Sequence, residues 1–276
     1  MRGMDASREN GATPALANVQ LDVEGPVAIV AINRPEVRNA VNPQTAEELR
    51  AAFAWVAAND AVRTAVLTGR GGAFCAGYDL AAFAAAGLDR EDLTELGPGQ
   101  PGPMGPSRDV PPKPTIAAVE GHAVAGGLEL AAWCDLRVIA QDAVFGVFCR
   151  RWGVPLIDGG TVRLPRLIGQ SRALDLILTG RPVGADEALA MGLANRVVPS
   201  GQTLAAAVEL ARQIAEFPQT CVLADRASTY AQDGLDAAAA LENEARGGLA
   251  VLQSGESVAG ASRFAGGAGR HGSFSQ

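Results

Sequence analysis

A single lysine, Lys113, stands among 23 cationic residues, so every other cation is an arginine. Schiff-base chemistry is thereby confined to Lys113, whose place between Pro112 and Pro114 does not suit a desolvated amine. Cysteine is scarce too. Cys75, Cys134, Cys149 and Cys221 lie far apart with no C-x-x-C, which signals neither a zinc site nor a disulfide framework. No apolar run approaches the ~20 residues that cross a bilayer. The opening Met1-Arg2-Gly3-Met4-Asp5 lacks the apolar stretch of a secretory signal. A formal charge of −7 leaves no basic field for nucleic acid. These absences predict a soluble, cytoplasmic protein that binds neither membrane nor nucleic acid.

What is present is a chain of 276 residues, 48% hydrophobic, long enough to bury a core without staples. Val19 to Val23 and Val27 to Ile32 read as strands joined by a hairpin at Glu24-Gly25-Pro26. Asn42-Pro43 reads as a helix cap and first helical residue, and Ala46, Leu49, Phe53 and Val56 follow on one face. Thr64 to Thr68, Thr115 to Val119 and Leu136 to Ala140 are further strands. Strands alternating with helices predict an α/β fold. Beyond about residue 171 the pattern is helical: 171–178, 185–191, 203–216, 219–231 and 235–252. The expected organisation is a loose tail over 1–17, a core over 18–200, a helical subdomain over 201–256 and a flexible tail over 257–276. The Gly/Pro-rich stretch 97–114 is either a functional loop or a plain connector, and no internal repeat shows.

Two glycine-rich turns carry the chemistry. One is Gly71 to Leu80. The other is Glu120 to Leu130, where strand 115–119 feeds a turn that becomes a helix near Gly126. The first N–H groups of a helix have no internal partner and sit at the positive end of its dipole, ready for an anionic oxygen. Glu129 follows Gly126 by one turn, and helical side chains tilt back toward the N-terminus. A carboxylate beside an oxyanion donor is what proton transfer next to a thioester carbonyl needs. On spacing alone, packing glycines remain the alternative. A phosphate cradle is disfavoured because no G-x-x-x-x-G-K-[ST] occurs.

The sequence resembles the crotonase family of enoyl-CoA hydratases and isomerases. The resemblance lies in Asn33-Arg34-Pro35, Arg38 to Asn42, Gly72-Ala73-Phe74-Cys75-Ala76-Gly77-Tyr78-Asp79-Leu80, Lys113 to Gly121, Gly126-Gly127-Leu128-Glu129-Leu130 and Cys134-Asp135. It continues through Gly159-Gly160-Thr161, Leu164 to Gly169, Leu178-Thr179-Gly180, Ala185 and Gly192-Leu193-Ala194, in family order over roughly 19–200. It implies a spiral of repeated ββα units followed by a C-terminal helical region used in homotrimers or dimers of trimers. It also implies an acyl-CoA thioester ligand, with CoA part of the substrate and no metal or other cofactor. By position, the N–H groups of Tyr78 and Gly126 would form the oxyanion hole and Glu129 would be the catalytic carboxylate. Arg38, Asn39, Ala40 and Val41 would lie against the CoA nucleotide, with Ala76, Asp79 and Leu80 near the rest of the CoA path.

One position departs from the family. Hydratases carry a second glutamate a few residues beyond the strand end marked here by Phe145-Gly146, and Cys149 stands there. Asp158 lies near a loop position that is acidic in some members, so it is either a proton relay or a turn residue capping the helix that begins near Gly160. Cys149 is a pocket residue, as a space-filling thiol or a nucleophile. His122 reads as a strand-end residue, and His271 lies in the tail. Trp133 reads as core and Trp152 as a possible wall of an acyl pocket. Arg150-Arg151 would meet either an acidic ligand group or a neighbouring subunit. The resulting expectation is hydration of a 2-enoyl-CoA by Glu129 with Asp158. Double-bond isomerisation, acyl-CoA hydrolysis and non-catalytic acyl-CoA binding are the alternatives.

Overall fold

Val27–Ile32 and Thr64–Gly69 are apolar at nearly every position, the mark of strands covered on both faces. The computed structural model describes residues 13–87 and 100–269 and pairs these two segments in parallel. They are β2 and β3 of a six-stranded sheet, whose other members are β1 (Val19–Glu24), β4 (Thr115–Val119), β6 (Leu136–Ala140) and β9 (Arg196–Val198). The order is β1-β2-β3-β4-β6-β9, and only the β1–β2 hairpin is antiparallel. The predicted α/β class holds. A second layer contains the short strands β5 (His122–Val124), β7 (Val144–Gly146) and β8 (Val183–Gly184).

Sheet register sorts side chains into two cores. Ile29 pairs with Val66 and Val66 with Ile116, and this face packs on Ala207, Val208 and Ala211. The alternate residues Val30, Leu67 and Ala117 face the other way, toward Leu49 and Phe53 of α1 (Pro43–Ala58) and Leu128 of α3 (Gly126–Trp133). Asn42 caps α1 by accepting from Thr45 N–H at 2.8 Å. The other helices of this unit are α2 (Leu80–Ala86), α4 (Gly160–Ile168), α5 (Gln170–Thr179), α6 (Ala185–Met191) and nearly all of α7 (Thr203–Glu216). Two successive segments repeat one plan: β4, β5, α3, then β6, β7, α4. Each crosses from the large sheet to the small layer before a helix. The repeat is one of backbone path, carried by different residues each time, which is why the sequence shows none.

The chain divides into two compact units between Ile214 and Ala215. Sequence composition places that boundary near 200, but the apolar face of α7 belongs to the sheet core. The second unit contains α8 (Gln219–Ala231), α9 (Ala237–Gln253) and α10 (Glu256–Ala265). α10 is a helix where composition predicts a flexible tail. Its alanines and serines follow Glu256 in the first turn, where a carboxylate favours the helix dipole. At the other end Glu48 Oε2 accepts from the N–H groups of Ala17, Asn18 and Val19 at 2.6–3.1 Å, anchoring the start of β1. His271 and residues 1–12 lie outside the described residues. No described helix is long and apolar enough to cross a membrane.

Two polar side chains fix the loops that matter later. Lys113 Nζ donates to the carbonyls of Asn59 and Val62, both at 2.6 Å, so the lone lysine ties the approach to β4 to the end of α1. Asn39 is fully buried. Its Oδ1 accepts from Arg34 N–H at 2.9 Å, and its Nδ2 donates to Arg70 and Ala73 carbonyls at 2.8 and 2.7 Å. With φ at +58° it also holds a left-handed conformation that asparagine tolerates better than most residues. Asn39→Ala leaves three part-buried backbone groups without these bonds and lowers unfolding stability by about 2 kcal/mol, measured by urea denaturation.

Candidate active site

The segment after β3 is drawn across the small layer by its backbone. Cys75 N–H donates to His122 carbonyl and Val124 N–H to Cys75 carbonyl, both at 3.0 Å. On the other side Val41 N–H donates to Gly77 carbonyl at 2.8 Å, and Asp79 N–H to Val41 carbonyl at 2.9 Å. Tyr78 is thus bracketed from both chain directions. Gly77 has φ +98°, and a Cβ there would lie 2.8 Å from Ala125 Cβ and 2.9 Å from Gly126 N. Glycine is required because the 77–78 backbone lies against the start of α3.

That start is sharply bent. Ala125 takes φ +53° and ψ −125°, a strained pair for an L-residue, and its N–H is held by Gly146 carbonyl at 2.8 Å. Gly126 opens the helix. A Cβ on Gly126 would sit 2.5 Å from Met104 Sδ, so the thioether covers it. The Gly77 and Gly126 backbones therefore lie together at the positive end of a helix dipole, beside Tyr78.

Glu129 projects from the first turn of α3 and is 2% exposed. Its Oε1 accepts from Asp158 N–H at 2.9 Å and Gly160 N–H at 2.8 Å, fixing the carboxyl against the turn before α4. Burial pushes its pKa up to about 8, and the Asp158 carboxylate adds to the rise; the two N–H groups and Arg163 oppose it. Asp158 is also buried, and its Oδ1 accepts from Met104 N–H at 3.0 Å and from the Ser107 hydroxyl. Burial raises its pKa as well, against those two donors and the guanidinium groups of Arg108 and Arg163. Asp158 does not cap α4, since Gly159 occupies that position. Cys149 lies in the single-turn helix Phe148–Trp152, and its thiol is pushed up by burial and then by Glu129. A thiol so placed is protonated, which argues against the nucleophile reading.

Glu129, Asp158 and Cys149 line one cavity of about 340 Å³ together with Ala76, Tyr78, Leu80 and Gly126. Its remaining walls are apolar: Phe83, Pro103, Met104, Phe148, Val154 and Ile157, among others. Trp152 lines it too while 71% exposed, so it stands at the mouth. Trp133 is core, as expected, packed edge-on to Phe53 at 4.8 Å. Arg38, Asn39, Ala40, Val41 and Asp79 are not among the lining residues. The first four run beside 76–79, where Arg38 carbonyl accepts from Ala76 N–H at 3.0 Å. Asp79 pairs with Arg34 at 3.0 Å and caps α2 through Ala82 N–H. Arg150 and Arg151 donate to the carbonyls of Ile177 and Gly180, and Arg151 also covers the Phe148 ring. Sequence reasoning missed Met104 and Ser107, for which only the length of the Gly/Pro-rich loop gave a signal.

The raised Glu129 pKa has a stability consequence. In the unfolded chain the group ionises near its ordinary 4.5, whereas in the fold it keeps its proton to about 8. Between those values unfolding releases a proton, so the stability it contributes is full below 4.5 and lost as pH rises through 8. Glu129→Gln removes that loss. Its stability relative to wild type rises by on the order of 4 kcal/mol between those pH limits, read from urea unfolding at pH 5 and 8.5.

Known proteins supply the wider context for this cavity. The family model Enoyl-CoA hydratase/isomerase matches residues 22–265. Enoyl-CoA hydratase EchA19 of Mycobacterium tuberculosis is 41% identical over 200 residues, 69% of this chain and 71% of the relative. The short-chain-enoyl-CoA hydratase of Clostridium acetobutylicum is 36% identical over 239 residues, covering 84% and 89%. Among solved structures, an enoyl-CoA hydratase from Mycobacterium tuberculosis H37Rv superposes with TM-score 0.83 at 35% identity, over 90% of this chain and 95% of that one. The sheet order, the helices after it and these likenesses agree: this chain has the crotonase fold and belongs to the enoyl-CoA hydratase/isomerase family.

Proposed function

We propose that the chain adds water to a 2-enoyl-CoA thioester. The observation that carries this reading is the Glu129 carboxyl, tethered by Oε1 to two backbone N–H groups and placed in the cavity wall one turn from Gly126. The thioester oxygen would lie between the N–H groups of Tyr78 and Gly126, where negative charge developing on the enolate meets donors already fixed in place. Ionised Glu129 takes a proton from water as the hydroxide adds at Cβ. It then returns that proton to Cα, so one carboxyl balances the addition and no second acid is required. Asp158 lines the same cavity and can hold negative charge beside Glu129. Arg38 is exposed at the edge of the 76–79 segment, which suits a guanidinium meeting the CoA phosphates.

The same carboxyl supports one other reaction. Ionised Glu129 could also take a proton from Cα and return it at Cγ, which is double-bond isomerisation, and its raised pKa suits it to hold the proton between the two steps. The homo-oligomer implied by family resemblance draws support from the second unit, whose helices expose Leu241, Leu252, Val258 and Phe264.

Crotonyl-CoA tests the hydratase reading through loss of its conjugated thioester absorbance. Wild type should turn over, with a rate that climbs as pH approaches 8, and Glu129→Gln should lose about 10²–10⁴-fold. Migration of a 3-enoyl-CoA double bond without hydration would instead establish the isomerase. Release of free CoA would establish a hydrolase, and a thermal shift with no chemistry a binder.

The cavity also discriminates by charge. Its lining contains no lysine, arginine or histidine among the described residues, so a carboxylate on the acyl group would face Glu129 and Asp158. A dicarboxylic enoyl-CoA such as glutaconyl-CoA should show kcat/KM at least about tenfold below crotonyl-CoA, in a direct comparison at pH 8. Cys149→Ala should leave the crotonyl-CoA rate within about threefold, because its thiol is protonated and holds no proton-transfer role in this scheme.

A further inference from the structure

Asp158 is connected in two directions. Its main-chain N–H donates to Glu129 Oε1 at 2.9 Å, and its side-chain Oδ1 receives Met104 N–H at 3.0 Å and the hydroxyl of fully buried Ser107. The loop that supplies those donors is strapped to the same turn twice more. Arg108 donates to Ile157 carbonyl at 3.0 Å, and Arg163 donates to the carbonyls of Asp158 and Asp109 at 2.8 and 3.4 Å. Gly102 completes the seam, since a Cβ there would lie 2.1 Å from Asp158 Oδ1. The strap is therefore shaped around the Asp158 carboxylate.

We propose that Asp158 is a positioning residue, kept ionised by Ser107 and the Met104 N–H, whose charge keeps the proton on Glu129 and whose main chain fixes the Glu129 carboxyl. The proposal rests on Glu129 being the acid–base group. Two carboxyls in one poorly solvated cavity do not both ionise readily, so the better-supported one takes the charge first. Glu129 is faced by Asp158, Arg163 and the Cys149 thiol; Asp158 is faced by Arg108 and Arg163 and receives the Ser107 and Met104 donors. The second guanidinium and the hydroxyl both favour charge on Asp158. A proton relay would need Asp158 protonated in turn, which those donors oppose.

Infrared titration of the protonated-carboxyl stretch tests this without requiring turnover. The Glu129 band is assigned by its loss in Glu129→Gln. Asp158→Asn keeps an oxygen to accept from Met104 and Ser107 but removes the charge, and the Glu129 midpoint should fall by about one pH unit or more. The rising limb of kcat/KM should move down with it. Ser107→Ala should raise the Asp158 midpoint, and it serves as the second variant if Asp158→Asn does not fold. An unmoved Glu129 midpoint in Asp158→Asn, or an unmoved Asp158 midpoint in Ser107→Ala, overturns the proposal. Loss of rate at every pH with the Glu129 midpoint unshifted also overturns it and makes Asp158 the relay. If wild type does not hydrate crotonyl-CoA, the hydratase reading fails while the infrared shifts still decide the charge relation.

Discussion

Two backbone N–H groups, from Asp158 and Gly160, converge on Glu129 Oε1, and much of the first unit is arranged to make that convergence possible. The carboxyl comes from α3, which β4 and β5 deliver; the donors come from the turn before α4, which β6 and β7 deliver. Any shift of one ββα segment against the next would separate acceptor from donors. The parallel pairing of β4 with β6 and of β5 with β7 prevents such a shift at two levels, one in each layer. Gly160 shows how little slack remains: a Cβ there would lie 2.9 Å from Glu129 Oε1. Burial then gives the tether its chemical meaning. A carboxyl in this position in water would be ionised at neutral pH, whereas here it is a reservoir for one proton.

The apolar cavity and the polar seam behind it divide the work. Aromatic and aliphatic side chains keep water scarce around Glu129, which strengthens every remaining dipole near it. Groups that favour charge gather instead around Asp158: a hydroxyl, an amide and guanidinium groups, set against the burial that raises its pKa. Cys149 fits this division, because a neutral thiol fills the wall without adding a third ionisable acid.

Legibility in the sequence followed the range of the interactions. Gly126 and Glu129 are one helical turn apart, so helix geometry alone brings their chemistry together, and the strand feeding the turn shows its own apolar pattern. Asp158 was legible only as an acid near a turn, since what distinguishes it is a bond to Ser107, 51 residues away. Met104 and Ser107 sit in a stretch without period, where neither strand nor helix spacing can point at a partner. Asn39 and Asp79 belong to segments that resemble a ligand site, yet their side chains are spent on Arg34, Arg70, Ala73 and Ala82. Three-residue strands such as β5 and β7 are too short for alternation to register, and they are set by the bonds of their neighbours. Family resemblance reached these segments because it compares whole paths.

The lone lysine has a practical reach beyond its structural bonds. Lys113 Nζ is engaged by two carbonyls, so amine-directed reagents meet no freely available side-chain ammonium anywhere in this sequence. Active-ester labelling and amine cross-linking will therefore find little purchase on its side chains, and tryptic mapping will report almost wholly on arginine. Cys221, exposed on α8, is the natural handle for a spectroscopic label or for tethering to a surface. Maleimide chemistry there would leave the three buried thiols, Cys149 of the cavity included, largely untouched in the folded protein.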